Sequence, residues 1–492
     1  MMREILLQPR ASSLMQSMRD IGYSLETAVA DLIDNSITAQ AANIQLHFEM
    51  KETGEASFAI LDDGTGMSEA QLVEAMRPGS LNPRESRDEN DLGRFGLGLK
   101  TASFSQCKSL TVISRAGANI VAIRWDLDLI ANRDEWVATF LSPKDIEELP
   151  FSEKLGERGT CVLWQKLDRF LESGISDRTK KSAYDKLLVV ENHLALVFHR
   201  YLSGEYRRRK INIFINGHLV EPFDPFCISN KATQALREEI VRINNHAVRI
   251  QPYILPHHSK LSGKELDFYR TRSDFITNQG AYIYRTGRLM AWGDWFRLIP
   301  KTEATKLARV QIDFPNSLDE KWTIDIKKSR AHPPPEVREK LRQIIERITD
   351  LSKRVHLGRG SRLFDAIEYP LWQREVERNG IRYCLNRKHP LIMSMREQID
   401  LAHKRSFDTV LSTIEHSLPV SGIYADYANS PQLFEEKAEI SYQEIRSNID
   451  DLYSIMVSTG TVNKNDFGKI VFSLKMFSEN RSVVERILEE LM

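Results

Sequence analysis

The spacing of apolar residues switches between two periods over the first 165 or so positions. After Ser24, apolar side chains recur at helical spacing, which predicts a helix that runs to about Ala39. Residues 43–50 instead alternate apolar and polar side chains one by one, as a half-buried strand does. Further strands are expected at 57–61, 109–114, 120–125 and 160–164. The alternation of helices and strands predicts a mixed α/β domain.

A second mixed domain is predicted to begin near residue 185. Its expected elements are an apolar helix at 187–202, strands at 211–215, 281–284 and 322–326, and a charged helix that follows the proline run 333–335 and reaches about residue 351. Asn216-Gly217 and Thr286-Gly287 are typical of turns that end such strands. The residues beyond this domain are expected to be mainly helical.

The formal charges of the whole chain cancel, because lysine plus arginine and aspartate plus glutamate each number 68 in 492 residues. Such a chain does not attract nucleic acid as a whole, so any contact with DNA must come from a local patch. The basic segments 207–210 and 353–362 are two candidates. Each is either a solvated face or a surface that touches phosphates.

Cysteine spacing and hydropathy exclude several classes of protein. The four cysteines, at 107, 161, 227 and 384, include no CxxC pair, which argues against a zinc knuckle and a disulfide framework. No segment approaches the roughly 18 consecutive apolar residues that cross a bilayer, and the N-terminal residues lack the apolar stretch of a secretion signal. We therefore expect a cytoplasmic protein with no membrane association.

Asp31 and Asn35 lie four residues apart in the first predicted helix, so they are expected to project from one face, a turn apart. An asparagine carbonyl is a hard oxygen ligand suited to Mg²⁺, which needs few protein ligands when phosphates and waters complete its shell. A carboxylate one turn away can orient and deprotonate an attacking water. The alternative interpretation is a pair of polar residues on a solvated helix face.

Asp62 follows a predicted strand and opens the segment Asp62-Asp63-Gly64-Thr65-Gly66-Met67. An aspartate at the end of a strand can accept a hydrogen bond from an adenine amino group, and glycines let the backbone approach the base closely. A simple turn is the alternative. Thr160, at the start of a later strand, could support this adenine site directly or through water.

A glycine-rich segment, Gly93-Arg94-Phe95-Gly96-Leu97-Gly98-Leu99-Lys100-Thr101, leads into a predicted helix start at Leu99. Backbone N–H groups there would face phosphates, and the Lys100 ammonium would add a point charge. The segment is not a Walker A loop, because Leu99 separates the last glycine from the lysine. By itself, a glycine-rich loop indicates little.

In this order, the four motifs resemble the N box, adenine-aspartate box, lid glycines and closing threonine of the gyrase, heat-shock-chaperone, histidine-kinase and MutL (GHKL) ATPases. The resemblance implies ATP and Mg²⁺, with Asn35 as the metal ligand, Asp62 on adenine supported by Thr160, and Gly96, Gly98 and Lys100 around the phosphates. The full set expected to bind nucleotide is Asn35, Asp62, Gly64, Gly66, Met67, Gly93, Arg94, Phe95, Gly96, Leu97, Gly98, Leu99, Lys100, Thr101 and Thr160.

We expect an α+β chain of three regions, of which the resemblance covers the first two, over roughly residues 20–345, and the residue pattern predicts the third. Residues 1–180 would form a GHKL (Bergerat) α/β-sandwich ATPase domain with an N-terminal arm. Residues 181–350 would form a transducer-like α/β domain, and residues 351–492 a mainly α-helical region for partner binding or dimerisation.

Asp31 is the candidate catalytic base, but its identity departs from the family pattern. Members that hydrolyse ATP usually carry glutamate at this position, and aspartate is one methylene shorter. Its carboxylate must therefore reach the attacking water through a shifted helix or a second water. Nucleotide binding is implied more directly than hydrolysis.

The segment from Gly280 to Leu289, followed by Trp292 and Trp295, resembles the start of the transducer domain in MORC-type ATPases. The nearest branch is the prokaryotic MORC-like and MutL-like one. In such proteins a basic transducer residue senses the γ-phosphate, and here Lys327 and Lys328 are the candidates. Strand alternation favours Lys328, because it shares a face with apolar neighbours where a charged head needs an anionic partner. The alternative is that both lysines lie at a solvated strand end.

The resemblance implies a clamp that ATP closes by promoting homodimerisation, with residues 1–20 as a candidate exchanged arm. Relatives of this kind act on DNA, in restriction, repair or phage defence, which would bring a nuclease, helicase or methyltransferase as partner. Two alternatives stay open: a chaperone-like clamp that remodels proteins, and a scaffold that binds ATP with little or no hydrolysis.

Overall fold

The computed structural model describes fifteen stretches of the chain: residues 9–20, 22–79, 98–170, 177–256, 260–262, 278–302, 305–324, 331–349, 369–377, 380–420, 422–423, 441–457, 460, 462–478 and 480–491. The chain divides into two compact units, residues 1–352 and 353–492. The architecture is α+β, with two principal sheets in the first unit. The finer division of this unit at residue 180 stays a prediction.

An eight-stranded sheet organises the N-terminal half of the first unit. Its strands are β1 (Asn43–Met50), β2 (Ala56–Asp62), β3 (Ser109–Ala116), β4 (Asn119–Asp126), β5 (Thr139–Phe140), β6 (Arg158–Gln165), β7 (Asn212–Ile215) and β8 (His218–Leu219). Their order is β5-β4-β3-β6-β2-β1-β7-β8, and only the β1/β7 pairing is parallel. The strands predicted within the first 165 residues are present, each with bounds within about two residues of the prediction.

One predicted strand joins a different sheet from the one expected. The sequence pattern places the run at 211–215 in the second domain, yet β7 pairs with β1 and extends the first sheet. Isoleucines on β7 match this position, since Ile213 and Ile215 are buried while their neighbours along the strand are half-buried. The polypeptide therefore returns to the first sheet after the long helix that follows β6.

The helices described in the chain before β7 are α1 (Ala11–Arg19), α2 (Leu25–Thr38), α3 (Glu69–Met76), α4 (Gly98–Phe104), α5 (Leu127–Arg133), α6 (Pro143–Glu147), α7 (Asp177–Val197) and α8 (His199–Leu202). The predicted helix after Ser24 is α2. It contacts α4, α7 and β2, and ten of its fourteen residues are buried. Within the described ranges, no helix combines the length and the apolar character needed to cross a bilayer.

The described part of the predicted N-terminal arm packs against its own chain. Helix α1 contacts α4 and α5. Its last residue, Arg19, donates from Nε to the Phe104 carbonyl at 2.9 Å and forms a bidentate pair with Asp168 at 2.7 and 2.8 Å. Residues 1–8 of the predicted arm lie outside the described residues.

The second sheet has six strands: β9 (Gln234–Ala235), β10 (Glu239–Ile243), β11 (His246–Ile254), β12 (Gly280–Arg285), β13 (Arg288–Asp294) and β14 (Ala308–Phe314). Their order is β10-β11-β14-β12-β13, with β9 also paired to β11. All six residues of β12 are buried, so this strand lies at the centre of the second core. Two short strands, β15 (Thr323–Ile324) and β16 (Ala331–His332), and a helix α9 at 335–349 follow.

The first described element of the second unit is a hairpin, β17 (Trp372–Glu377) and β18 (Gly380–Leu385). Its helices are α10 (Pro390–Gln398), α11 (Leu401–His416), α12 (Tyr442–Met456), α13 (Lys464–Ser473), α14 (Lys475–Ser478) and α15 (Arg481–Leu491). Apolar faces of α12, α13 and α15 build a core around Ile449, Val471 and Ile487. The expectation of a mainly helical region is correct, but it missed the hairpin.

Candidate nucleotide site

Asp62 ends β2 with its carboxylate held from three sides. The Ser36 hydroxyl donates to Oδ2 at 2.8 Å, and the Gly64 and Thr160 amides donate to Oδ1 at 2.9 and 3.3 Å. Burial raises the pKa of Asp62, and the three hydrogen bonds oppose that rise. A fixed acceptor at a strand end is the group that the sequence predicted for adenine.

Ser36 connects this carboxylate to helix α2, because its hydroxyl crosses from the helix to the end of β2. Asn35, the preceding residue, is one of the few exposed positions of α2. Its amide oxygen is thus accessible next to the residue that touches Asp62. The arrangement fits a hard oxygen ligand for Mg²⁺, with phosphates and waters supplying the remaining positions.

The loop after β2 approaches two other segments too closely for side chains. A Cβ on Gly64 would lie 2.8 Å from both the Ala39 carbonyl and Asp62 Oδ1. A Cβ on Gly66, whose φ is +70°, would lie 2.1 Å from the Arg115 carbonyl. These glycines let the loop fold back over the end of β2 at Asp62.

Thr160 lies directly opposite Asp62 in the β2/β6 ladder and opposite Ser114 in the β3/β6 ladder. Its amide reaches the Asp62 carboxylate, while its hydroxyl lies 3.1 Å from Ser114 Oγ. The same Ser114 hydroxyl accepts from the Met67 amide at 2.8 Å. Thr160 therefore supports Asp62 through its backbone, and Ser114 ties Met67 to the same strands.

Most of the predicted lid, Gly93 to Leu97, lies outside the described residues. Gly98 opens α4, and a Cβ built there would stand 3.7 Å from Asp31 Oδ2, so the last lid glycine lies beside the candidate base. Leu99 is half-buried and Thr101 is fully buried.

Lys100 is 2% exposed, and its ammonium is engaged by the end of α3. Nζ donates to the carbonyls of Ala75 and Arg77, each at 2.8 Å. Burial lowers the pKa of Lys100 to about 8, and the nearby Glu74 carboxylate opposes this. A phosphate contact by Lys100 stays a prediction and would require the ammonium to exchange these carbonyls for the ligand.

Asp31 is buried on α2, whereas Asn35 one turn later is exposed. The helical spacing is confirmed, but the two side chains differ in their access to solvent. Tyr23 donates its hydroxyl to Asp31 Oδ2 at 3.0 Å, and Arg288 Nη2 lies 3.9 Å from Oδ1. In this arrangement the carboxylate faces the protein, beside Gly98.

The sequence interpretation missed three residues that organise the site: Asp34, Arg288 and Ser114. Asp34 has no exposed surface and accepts from Arg288 Nε at 3.0 Å. A charged residue on an otherwise apolar helix face signals a buried partner, although its identity could not be read from the chain. Ser114 lies within a β-strand pattern and gave no signal of its own.

The structure describes only some of the basic residues that the sequence singled out. The proposed γ-phosphate sensors, Lys327 and Lys328, and the basic segment 353–362 lie outside the described residues. In the basic run 207–210, Arg209 donates to the carbonyls of Ile37 and Ala41 at the C-terminal end of α2, at 3.0 and 3.3 Å. Arg209 therefore caps α2, and this part of the run is structural.

A known family matches a part of the chain that includes most residues of this site. Residues 23–159 match the family described as Histidine kinase-, DNA gyrase B-, and HSP90-like ATPase. The chain is 27% identical over 142 residues to the DNA mismatch repair protein MutL of Bacillus mycoides (strain KBAB4), which covers 29% of this chain and 19% of that protein.

Two MORC proteins match a shorter part of the chain. Identity to ATPase MORC2B of Mus musculus is 29% over 90 residues, covering 18% of this chain and 9% of that protein. Identity to ATPase morc-1 of Caenorhabditis elegans is 27% over 97 residues, covering 20% and 11%. The chain thus spans about a fifth of MutL and about a tenth of the MORC ATPases.

A solved structure entitled "Crystal Structure of N terminal domain of a DNA repair protein" aligns with 70% of this chain and 99% of its own. The sequence identity is 15% and the TM-score is 0.43. A TM-score of this size does not carry a fold assignment.

Proposed function

We propose that this chain binds Mg·ATP and works as an ATP-gated dimeric clamp, because residues 23–159 match the family described as Histidine kinase-, DNA gyrase B-, and HSP90-like ATPase. The observation that carries the proposal is the Asp62 carboxylate, held by Ser36, Gly64 and Thr160 at the end of β2. Such an acceptor, half-buried and already oriented, suits the amino group of adenine.

The residues around Asp62 divide the remaining tasks. Asn35 offers its amide oxygen to the metal from the exposed side of α2. Mg²⁺ would supply charge neutralisation at the phosphates. Gly64, Gly66 and Met67 would bring backbone close to the base, and Gly98 would face the phosphates. In this proposal Asp31, beside Gly98, would act on the attacking water.

Gating requires a ligand that binds one conformation better than another, and the γ-phosphate is that ligand in our proposal. The closed state contacts it through the lid and through Lys328 or Lys327, and hydrolysis removes the contact. Closure would favour the homodimer. A role in DNA transactions such as restriction, repair or phage defence is consistent with the MutL and MORC ATPases that the domain resembles.

Isothermal titration calorimetry with Mg·ATP and Mg·ADP tests the binding step. We expect wild-type protein to bind both nucleotides and Asp62→Asn to bind at least about tenfold more weakly, as the loss of a hydrogen bond to a charged group predicts. Asn35→Ala should weaken nucleotide binding in Mg²⁺ more than in EDTA. Arg285→Gln, which removes a buried arginine that pairs with Asp319, is the matched control. Equal affinity in wild type and Asp62→Asn would refute the proposal.

The contacts of Asp31 favour a second candidate function, a scaffold that binds ATP without turnover. Its carboxylate accepts from Tyr23 and lies near Arg288, so it is committed to protein partners in this conformation. Phosphate release by wild type and by Asp31→Ala separates the candidates. A clamp that hydrolyses ATP loses most of its rate in the variant, whereas equal background rates support the scaffold.

A further inference from the structure

The Arg288 side chain connects the second sheet to helix α2. It is the first residue of β13, and 3% of its surface is exposed. Its Nε donates to Asp34 Oδ1 at 3.0 Å, and its Nη2 lies 3.9 Å from Asp31 Oδ1. One guanidinium therefore forms an ion pair with Asp34 and lies close to the Asp31 carboxylate, almost one turn away on α2.

The hairpin turn that carries Arg288 is fixed by two tyrosines. Thr286 and Gly287 both have positive φ, 49° and 81°, as the central residues of a type I′ turn do. A Cβ on Gly287 would lie 2.4 Å from the Tyr206 ring, so the turn rests directly on that ring. Tyr201 donates its hydroxyl to the Thr286 carbonyl at 2.7 Å. The starting point of the Arg288 side chain is thus set by packing.

The surroundings of Arg288 hold its guanidinium in one place. Nη1 donates to the Leu289 carbonyl at 3.0 Å, and the Phe198 ring lies 5.8 Å from the guanidinium carbon. His193 is also close. Burial, and to a smaller extent the charge of Arg288, lower the pKa of His193 to about 3, so this imidazole is neutral at physiological pH. Arg288 and the two aspartates thus form a buried cluster with one cation and two carboxylates.

From this geometry we infer that Arg288 is a positioning residue for Asp31, and that it makes water activation depend on the placement of the β12–β13 hairpin. The pair with Asp34 anchors the guanidinium on α2. The Nη2 group of the guanidinium then orients the Asp31 carboxylate, which lies beside Gly98. The inference rests on the proposed nucleotide site, but it adds a residue of the second sheet to that site.

The inference separates binding from turnover, because Arg288 lies on the buried side of α2 and Asn35 on the exposed side. Arg288→Gln should reduce the kcat of ATP hydrolysis by about 10- to 100-fold, the range expected when a reacting group is misplaced. The dissociation constant for Mg·ATP should stay within about threefold, since the removed interaction orients the base and not the ground-state ligand. Arg288→Lys should recover stability but only part of kcat, because one ammonium cannot span two carboxylates.

Arg285→Gln is the matched control. Arg285 is the last residue of β12, lies opposite Arg288 across the turn and is equally buried. It pairs bidentately with Asp319, with both Nε and Nη2 at 2.7 Å from the carboxylate. Its replacement removes a buried arginine from the hairpin but keeps Arg288 and both aspartates of α2, so kcat should stay near wild type. If single replacement of Arg288 prevents folding, Arg288→Gln with Asp34→Asn removes both charges of the pair; this double variant should fold and still hydrolyse slowly.

Three results would overturn the inference. One is wild-type kcat in Arg288→Gln or in the double variant; another is a raised kcat, which would mean that Arg288 restrains Asp31. The third is wild-type phosphate release no faster than that of Asp31→Ala, since no base would then exist to position. In that last case the measured Mg·ATP affinity still supports the nucleotide site, whereas an absence of affinity in wild type refutes the proposed function itself.

Discussion

Asp62 shows at the level of one residue how a binding group costs stability. Burial raises its pKa above the ordinary 3.8, so the folded chain holds the proton more tightly than the unfolded chain. The contribution of Asp62 to stability is therefore fully present below pH 3.8 and is lost as the pH rises through the raised folded pKa. At neutral pH the ionised carboxylate is a burden on the nucleotide-free protein.

Asp62→Asn should consequently stabilise the nucleotide-free protein at pH 7 while it abolishes tight nucleotide binding. We expect the free energy of unfolding to rise by about 0.5–2 kcal/mol, the usual range when a residue that costs stability for the sake of function is replaced. The advantage should shrink as the pH falls toward 4, because protonation of Asp62 in wild type removes the same cost. Urea unfolding of both proteins between pH 4 and 8 measures it. A difference that does not change with pH would contradict this explanation.

The residues that the sequence could predict are those with a local signature. Asp62 stands at a strand end before a glycine loop, and Asn35 lies one turn after Asp31 in an apolar helix. Arg288 is different, because its partners are more than 250 positions away in the chain. Nothing local distinguishes it from a solvated arginine after a turn, so only the contact of its side chain with Asp34 in the folded chain reveals it.

At the scale of elements, the site depends on close approach between the ends of β2 and β6. Gly159, next to Thr160, has a φ of +128°, and a Cβ there would lie 1.9 Å from the Asp62 carbonyl. Gly159→Ala should lower the free energy of unfolding by about 2–5 kcal/mol, because backbone strain and overpacking add. It should also weaken nucleotide binding, since the displaced strands carry Asp62 and Thr160.

Gly117→Ala is the matched control for this change. Gly117, in the β3–β4 turn, also has a positive φ, +66°, but no atom lies within 4 Å of the position that an alanine Cβ would take there. Its replacement should cost only the left-handed strain, about 1–2 kcal/mol, and leave nucleotide affinity unchanged. Denaturant unfolding and calorimetry on both variants give the comparison. Equal losses of stability would show that contact with Asp62 is unimportant.

Element bounds were predictable where side-chain alternation is strong, and strand partners were not. Residues 43–50 alternate cleanly, and β1 has those bounds. The assignment of β7 to the first sheet could not be read from its short apolar run, since pairing with β1 depends on the path of α7 and α8. The β17–β18 hairpin was missed because β17, with Gln373, Arg374 and Glu375, reads as a polar segment.

At the scale of the whole molecule, the balanced charge leaves a local surface as the only route to electrostatic DNA binding. Arg207 and Arg249 line a cleft of about 580 Å³ at the second sheet, with His246 beside them. Arg249 has Glu238 at 3.9 Å, so the cationic character of the cleft is modest. If DNA is the client, its affinity should fall steeply with salt, and Arg207→Ala with Arg249→Ala should reduce that slope. Binding to unfolded protein without salt-dependent DNA binding would instead support the chaperone-like clamp.

The clamp itself predicts a change of assembly that only ATP-competent protein undergoes. Sedimentation velocity with Mg²⁺ and a non-hydrolysable ATP analogue should convert wild-type chains to dimers, whereas ADP should not, because only the γ-phosphate distinguishes the closed state. The Asp62→Asn variant should keep the sedimentation coefficient of its nucleotide-free form at analogue concentrations that saturate wild type. A wild-type chain that binds the analogue by calorimetry but keeps the same sedimentation coefficient would refute dimeric closure and leave nucleotide binding intact. DNA added to the closed dimer then tests whether closure encircles it, since circular DNA should dissociate more slowly than a short linear duplex with free ends.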